Sequence, residues 1–219
     1  MNIEQKILCS IYEIKKNNNE NRIEYKFIST SNSTYGNNSE DKLVFYTVKK
    51  RINENIENIE WKRIKKINLS CSTQSDSICQ LNKKFLCVGL QNHCRTGQIN
   101  GFAIIDIDLK EIKKIIQTSP IDSLYYNFET KILYSAMDIA EKKRKNSYII
   151  EIYKVDEGID DIYLNNIYQF QSGHNDIIVS LSELKTKINE KKYEENNNKE
   201  IILASSSLDT NLKLFKIKI

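Results

Sequence analysis

His174 is the residue of this sequence whose neighbours could support acid–base chemistry. It follows Gly173 in the segment SGHNDI, and Asp176 and Asp209 are the nearby carboxylates. An imidazole oriented by a carboxylate can act as a general base near neutral pH. The Gly-x-Ser-x-Gly turn that presents a nucleophilic serine is absent from the sequence. From these residues alone, His174 is either a general base or a structural residue that joins two strands.

A group of cysteines could bind metal, but its spacing is wrong for that chemistry. Cys71, Cys79, Cys87 and Cys94 follow one another at intervals of 8, 8 and 7 residues, and His93 precedes the last. Structural zinc sites usually use CxxC pairs. We therefore predict no metal site. Cys79 and Cys87 are expected to be small buried apolar residues, whereas Cys94 lies in a predicted loop and is a candidate exposed thiol.

Two pairs of acidic residues could form a carboxylate dyad. Asp106 and Asp108 flank Ile107 at the end of a predicted strand, which would place both carboxylates on one face, and Asp160 precedes Asp161. A solvated strand end is the simpler interpretation of the first pair. We predict no catalytic residue in either pair.

Phosphate-binding features are limited to two basic stretches, 61–66 and 142–145. The sequence contains only 6 glycines and no GxxxxGK[ST] loop, so no cofactor and no small-molecule substrate are predicted. Trp61, beside Lys62 and Arg63, offers one stacking surface rather than a platform for several bases. The net charge is +4, and the lysines are spread along the chain beside glutamates, as on a solvated surface.

Composition indicates a globular chain in a reducing compartment. The 219 residues are 40% hydrophobic and 28% charged, enough for one sizeable core or two small ones. An odd number of cysteines without a secretory signal is typical of a reducing compartment. No apolar run approaches the ~18–20 residues needed to span a bilayer. We expect no membrane association and a location in the cytoplasm or the nucleus.

The elements that must position these residues are β-strands, because the main hydrophobic period is two. The apolar run Phe85–Leu90 is typical of a buried inner strand. Ile52, Ile56 and Ile59 instead have helical spacing, so 51–60 is either a loop or a short helical turn. The single proline and few glycines leave asparagine to supply left-handed turn positions. The predicted strands are 6–14, 23–29, 43–48, 61–69, 76–81, 85–90, 98–108, 110–117, 121–127, 131–137, 147–156, 163–171, 177–182, 201–207 and 212–217.

The strands repeat as a triplet with a linking strand, which divides the chain into four segments. The second strand of each triplet ends in small residues, and the third alternates and carries aromatics. The repeats differ in length, and polar insertions explain the longer ones because loop closure depends weakly on length. The predicted segments are 5–69, 70–117, 118–171 and 172–219, with asparagine- and lysine-rich insertions near 15–22, 32–40, 141–146 and 186–199.

The segment from 172 to 219 resembles one WD40 repeat. It has a Gly-His pair before a strand, a second strand ending in ASSS, an aspartate in the next turn and an alternating third strand. The resemblance implies that His174, Ser205 and Asp209 occupy the hydrogen-bonded positions of that family. Phe215 stands where the family has tryptophan, so the last hydrogen bond of the set cannot form. Asp41 and Asp138 are the candidate turn aspartates of earlier repeats.

The resemblance implies a single all-β, WD40-like β-propeller domain over 1–219, partial or open, with about four blades. His174 then becomes a structural residue, and the expected function is a non-catalytic repeat-protein scaffold for protein–protein interaction in a larger complex. An RNA- or ribonucleoprotein-binding propeller and a WD40-type hydrolase remain alternatives. The chain is expected to end one strand short of a finished blade, either as a fragment of a propeller of seven or eight blades or as an open half-ring that needs a partner.

Overall fold

A computed structural model describes residues 7–17, 22–31, 42–51, 60–68, 73–92, 100–139, 148–184 and 200–218. All regular elements in these ranges are β-strands, which confirms the all-β class. They form four antiparallel sheets, none of them closed. Within the described ranges there is no helix of the length and apolarity that crossing a membrane requires.

Each sheet is a meander in which strands that are consecutive in the chain pair side by side. Sheet 1 contains β1 (Ile7–Asn17), β2 (Arg22–Ser31), β3 (Lys42–Arg51) and β4 (Glu60–Asn68). Sheet 2 contains β5 (Thr73–Gln80), β6 (Phe85–Asn92), β7 (Gly101–Asp106) and β8 (Glu111–Gln117). Sheet 3 contains β9 (Ile121–Asn127), β10 (Ile132–Asp138), β11 (Tyr148–Glu157) and β12 (Ile162–Gln171). Sheet 4 contains β13 (Ile178–Leu184), β14 (Glu200–Ser207) and β15 (Leu212–Lys218), and is the one sheet with three strands among the described residues.

The strands lie where the alternating pattern predicts them. Boundaries differ by up to three residues: β5 begins earlier, β1 and β3 end later, and β7 is shorter than the predicted strand 98–108. The buried inner strand is confirmed, because Phe85 to Leu90 are all buried. β1 and β2 extend into the predicted insertion 15–22 from both sides. The other three predicted insertions lie outside the described residues. Of the ambiguous segment 51–60, only Arg51 and Glu60 are described, as the end of β3 and the start of β4.

Two compact units divide the chain, Met1–Pro120 and Ile121–Ile219. In the first unit, sheets 1 and 2 share an apolar core that includes Ile28, Phe45, Leu86 and Val88. β1 and β5, the first strands of these two sheets, lie next to each other. The blade boundaries and the single-domain assignment stay predictions.

The second unit repeats this arrangement with sheets 3 and 4. β9 and β13, the first strands of the two sheets, are neighbours. Ile132, Tyr134, Ile178 and Leu203 belong to the apolar core between the sheets. The rings of Phe170 on β12 and Phe215 on β15 pack on each other, with centroids 4.9 Å apart. Fully burying an aliphatic core side chain such as that of Ile178 or Leu203 contributes about 2 kcal/mol.

Side-chain caps form the turns of this glycine-poor chain. The side-chain oxygens of Asn82, Asp106 and Asn127 each accept two backbone N–H groups from the residues that follow. Asn82 and Asn127 therefore stabilise their turns by side-chain hydrogen bonds rather than by left-handed backbone geometry. The non-glycine residues with left-handed backbone geometry in the described ranges are Lys110, Lys131 and Thr210, so the expectation that asparagine fills such positions is wrong for these turns.

Candidate functional site: a buried His–Ser–Asp network

The loop that carries His174 is fastened to the end of sheet 3. Ser172 donates its backbone N–H (3.0 Å) and its hydroxyl (2.8 Å) to the carbonyl oxygen of Tyr148, the first residue of β11. The Ser172 hydroxyl oxygen also accepts the backbone N–H of His174 at 3.2 Å. The side chain of Lys213, on β15, donates to the carbonyl oxygens of Ser172 and Gly173. The loop therefore connects sheet 3 with sheet 4.

Gly173 is required by the backbone of this loop. Its φ is +67°, in the left-handed region that side chains disfavour, and an added Cβ would lie 3.0 Å from the Lys213 ammonium. The Gly-His pair seen in the sequence thus combines a residue that permits the turn with the residue that the turn inserts into the core.

Three of the four predicted site residues are joined by hydrogen bonds. Nδ1 of His174 lies 3.0 Å from Oδ2 of Asp209, and Nε2 lies 2.7 Å from Oγ of Ser205. Because a carboxylate only accepts, Nδ1 carries the hydrogen in that bond, and Nε2 of a neutral ring accepts the Ser205 hydroxyl. β14 supplies Ser205, and the turn between β14 and β15 supplies Asp209.

Phe215 lies outside this hydrogen-bonded set. It pairs with Leu203 across β14 and β15 and packs against the apolar core of the second unit. Phe215 contributes to the site by packing on Phe170, and this contact holds β15 of sheet 4 against β12 of sheet 3.

Asp209 also organises the turn in which it lies. Its carboxylate accepts the backbone N–H groups of Asn175 (2.8 Å) and Asn211 (3.0 Å) in addition to His174. Burial alone would raise the pKa of Asp209. The two backbone donors and His174 outweigh that effect and hold the pKa of Asp209 well below its usual range.

We expect acid to weaken the fold through Asp209. Its folded-state pKa is below the unfolded value of ~3.9, so its contribution is present above that pH and is lost as pH falls through the folded pKa. Asp209→Asn, which removes the charge, should destabilise the protein most near pH 6 and progressively less at pH 3 and pH 2. Urea midpoints across this range measure the difference between the two proteins. Asp108→Asn, at an exposed side chain, should give no such pH-dependent difference, and a pH-independent effect of Asp209→Asn would contradict the assignment.

The connectivity Ser205–His174–Asp209 is that of a serine-hydrolase triad, but this network differs from such a triad in its access to solvent. The exposed fraction is 1% for Ser205, 0% for His174 and 7% for the Asp209 side chain. A nucleophilic oxygen has to meet its substrate, and this hydroxyl is enclosed by sheets 3 and 4. Asp176, the other predicted partner of His174, caps the next residue instead, accepting the Ile177 N–H at 2.8 Å.

The chain matches no protein-family model and no curated protein.

Asp106 and Asp108, which were expected at a solvated strand end, do not form a carboxylate dyad in the turn between β7 and β8. Asp106 is buried, not solvated as predicted, because its carboxylate caps the turn by accepting the N–H groups of Asp108 and Leu109, both at 2.9 Å. Asp108 is exposed. Asp161 likewise accepts the N–H of Ile162 at 2.8 Å. The sequence signal for such a role was available, since an aspartate directly before a tight turn favours a side-chain cap.

Two of the cysteines face each other across sheet 2. Cys79 on β5 pairs with Cys87 on β6, and both are free thiols. Cys87 is buried as predicted, whereas Cys79 is only half-buried. Burial, and then the neighbouring Cys79, raises the pKa of the Cys87 thiol well above its usual value. Among the described residues, no three or more His, Cys, Asp or Glu side chains are arranged to hold a metal ion; Cys71, His93 and Cys94 lie outside those residues.

Sequence reasoning missed a second polar cluster in the same unit. Glu183 on β13 accepts hydrogen bonds from Asn127 (2.8 Å) and from the hydroxyl of Tyr134 (3.0 Å). Burial, followed by the Glu183 carboxylate, raises the pKa of Tyr134. The partners are 49 and 56 residues apart in the chain, so no local pattern could indicate them.

Proposed function

We propose that this chain is a WD40-like β-propeller segment that acts as a non-catalytic scaffold for protein–protein interaction. The observation that carries the proposal is the buried network of His174, Ser205 and Asp209, which has the residue types and the strand positions of one WD40 repeat. Its role is to fasten one blade to the preceding one.

The order of strands supports the same proposal. In each unit the first strands of two successive meanders are neighbours, β1 with β5 and β9 with β13. Blades of a propeller are four-stranded meanders whose first strands lie together around a central axis. Rigid sheets of this kind present their connecting loops as binding surfaces.

The experiment that tests the scaffold is a quantitative purification of the tagged chain from its source cells, with and without ribonuclease and in 0.5 M salt. We expect at least one protein to co-purify in near-stoichiometric amount under all conditions. Association that disappears with ribonuclease or falls steeply with salt would support the RNA-binding alternative instead. No stoichiometric partner, even after chemical cross-linking, would contradict the scaffold.

A specific observation, the triad-like connectivity, keeps the hydrolase as the second candidate. An active serine nucleophile reacts with fluorophosphonate probes, so labelling of the folded protein tests it. Because Ser205 is buried beneath sheet 3, we expect the wild type and Ser205→Ala to be labelled to the same extent. Stoichiometric labelling of Ser205 would overturn the structural role of the network.

A further inference from the structure

Sheet 4 packs on sheet 3 through only one of its faces. Ile178, Ile201, Leu203 and Ile217 point into the shared core. The residues that alternate with them form the other face, and strand pairing places them side by side: Ser180, Ser182 and Leu184 on β13, Ile202, Ala204 and Ser206 on β14, and Leu212, Leu214 and Lys216 on β15. We call this set the open face.

The open face carries four large apolar side chains beside its serines and its lysine. Leu212 is 70% exposed and Leu214 is 60% exposed, so no described residue of the second unit covers them. Leu184 is also exposed, and Ile202 is half-buried. A contiguous apolar patch of this kind is characteristic of an interaction surface.

The shape of the open face is complementary to that of the same face on a second copy. Leu212 and Leu214 form a ridge on the edge strand β15, and their cross-strand partners, Ser206 and Ala204, are small. Ser180 and Ser182 continue this trough on β13. A two-fold axis across the face would place the leucine ridge of each copy in the serine and alanine trough of the other, at the ~10 Å separation of packed sheets.

We propose that the open face of sheet 4 binds the same face of a second copy of this chain, forming a two-fold symmetric dimer. The rim of the face carries both signs of charge, since Glu200 lies 2.9 Å from the Lys216 ammonium and 3.8 Å from that of Lys218. A two-fold pairing can therefore place Glu200 of each copy near a lysine of the other, without a row of like charges. This inference does not depend on the WD40 assignment.

The size of the face sets the expected strength. Three strands of seven residues span roughly 23 Å by 14 Å, or on the order of 300–400 Å² from each copy. Stable interfaces take ~800 Å² from each partner. We therefore expect weak, reversible association rather than a permanent dimer.

Sedimentation velocity from about 5 µM to 1 mM tests the dimer. We expect a monomer at the lowest concentration and a rise of the average mass towards twice the monomer at the highest. Leu214→Glu, which places a charge in the ridge, should weaken association at least ~10-fold, with an unchanged circular dichroism spectrum. Ile159→Glu is the matched control, because Ile159 is 97% exposed and lies between β11 and β12, away from the open face.

A second measurement locates the contact. A nitroxide label at Ser182 should report an inter-copy distance of about 10–25 Å at high concentration, since the trough lies next to the proposed axis. A chain that stays monomeric at 1 mM would overturn the proposal. So would Leu214→Glu dimerising like the wild type, Ile159→Glu disrupting association equally, or a Ser182 label showing no short inter-copy distance.

Discussion

Replacing His174 with alanine is expected to lower the free energy of unfolding by about 3 kcal/mol. The imidazole is fully buried and contacts both Ser205 and Asp209. Its removal leaves a cavity, a buried hydroxyl without its acceptor and a carboxylate without one of its donors. If the 219 residues unfold as one cooperative unit, this loss corresponds to a fall in the melting temperature of about 6–12 °C, which circular dichroism can measure.

Asn175→Ala is the matched control for His174→Ala. The side chain of Asn175 is exposed, and its contact with Asp209 uses the backbone N–H, which alanine retains. We expect its effect to stay within about 0.5 kcal/mol. Equal melting temperatures for His174→Ala and the wild type would show that the network contributes nothing to stability.

Two serine-to-alanine replacements are expected to change stability in opposite directions. Ser205 on β14 and Ser135 on β10 are both buried and occupy the second strands of sheets 4 and 3. The Ser205 hydroxyl meets His174, whereas the Ser135 hydroxyl has no hydrogen-bond partner among the residues that the structure describes. Ser205→Ala leaves the imidazole nitrogen unsatisfied and should cost about 1–2 kcal/mol. Ser135→Ala removes a buried, unsatisfied hydroxyl and should stabilise by about 0.5–1 kcal/mol.

Urea unfolding measures these effects for Ser205→Ala, for Ser135→Ala, and for the double variant that combines Ser205→Ala with His174→Ala. The chemical change is identical, so a difference in sign comes from the hydrogen bond alone. Ser205→Ala combined with His174→Ala should cost less than the sum of the two single variants, because they remove the same interaction. A stabilising Ser205→Ala, or a Ser135→Ala as costly as Ser205→Ala, would refute the contrast.

Local pattern was sufficient to predict the strands and the all-β class. Alternation of period two places apolar residues on one face of each strand, and this local property does not depend on the partner strand. The continuous apolar run at Phe85–Leu90 likewise follows from burial on both faces. The meeting of His174 with Ser205 and Asp209 was predicted through a resemblance, since nothing local connects residues 31 and 35 positions apart.

Other features of side-chain placement were missed. The cap formed by Asp106 could have been inferred from an aspartate before a tight turn, but the burial of its carboxylate depends on how the turn after β7 folds back. The cluster around Glu183 needs the packing of sheet 4 on sheet 3 before its members meet. Lys110, Lys131 and Thr210 adopt left-handed geometry in turns, although their residue types disfavour it.

The fastening of the Ser172 loop to Tyr148 has a consequence for how the second unit opens. Among the described residues sheet 4 has three strands and sheet 3 has four, and elements with fewer buried contacts usually exchange their amide hydrogens earlier. Here the Ser172–Tyr148 bonds attach the intervening loop to sheet 3, and the His174–Asp209 contact attaches it to sheet 4. Separating sheet 4 therefore requires breaking buried polar contacts as well as the apolar core. The amides of β10 and β14 should consequently exchange with similar protection, as one cooperative unit, and removal of His174 should release β14 to exchange ahead of β10.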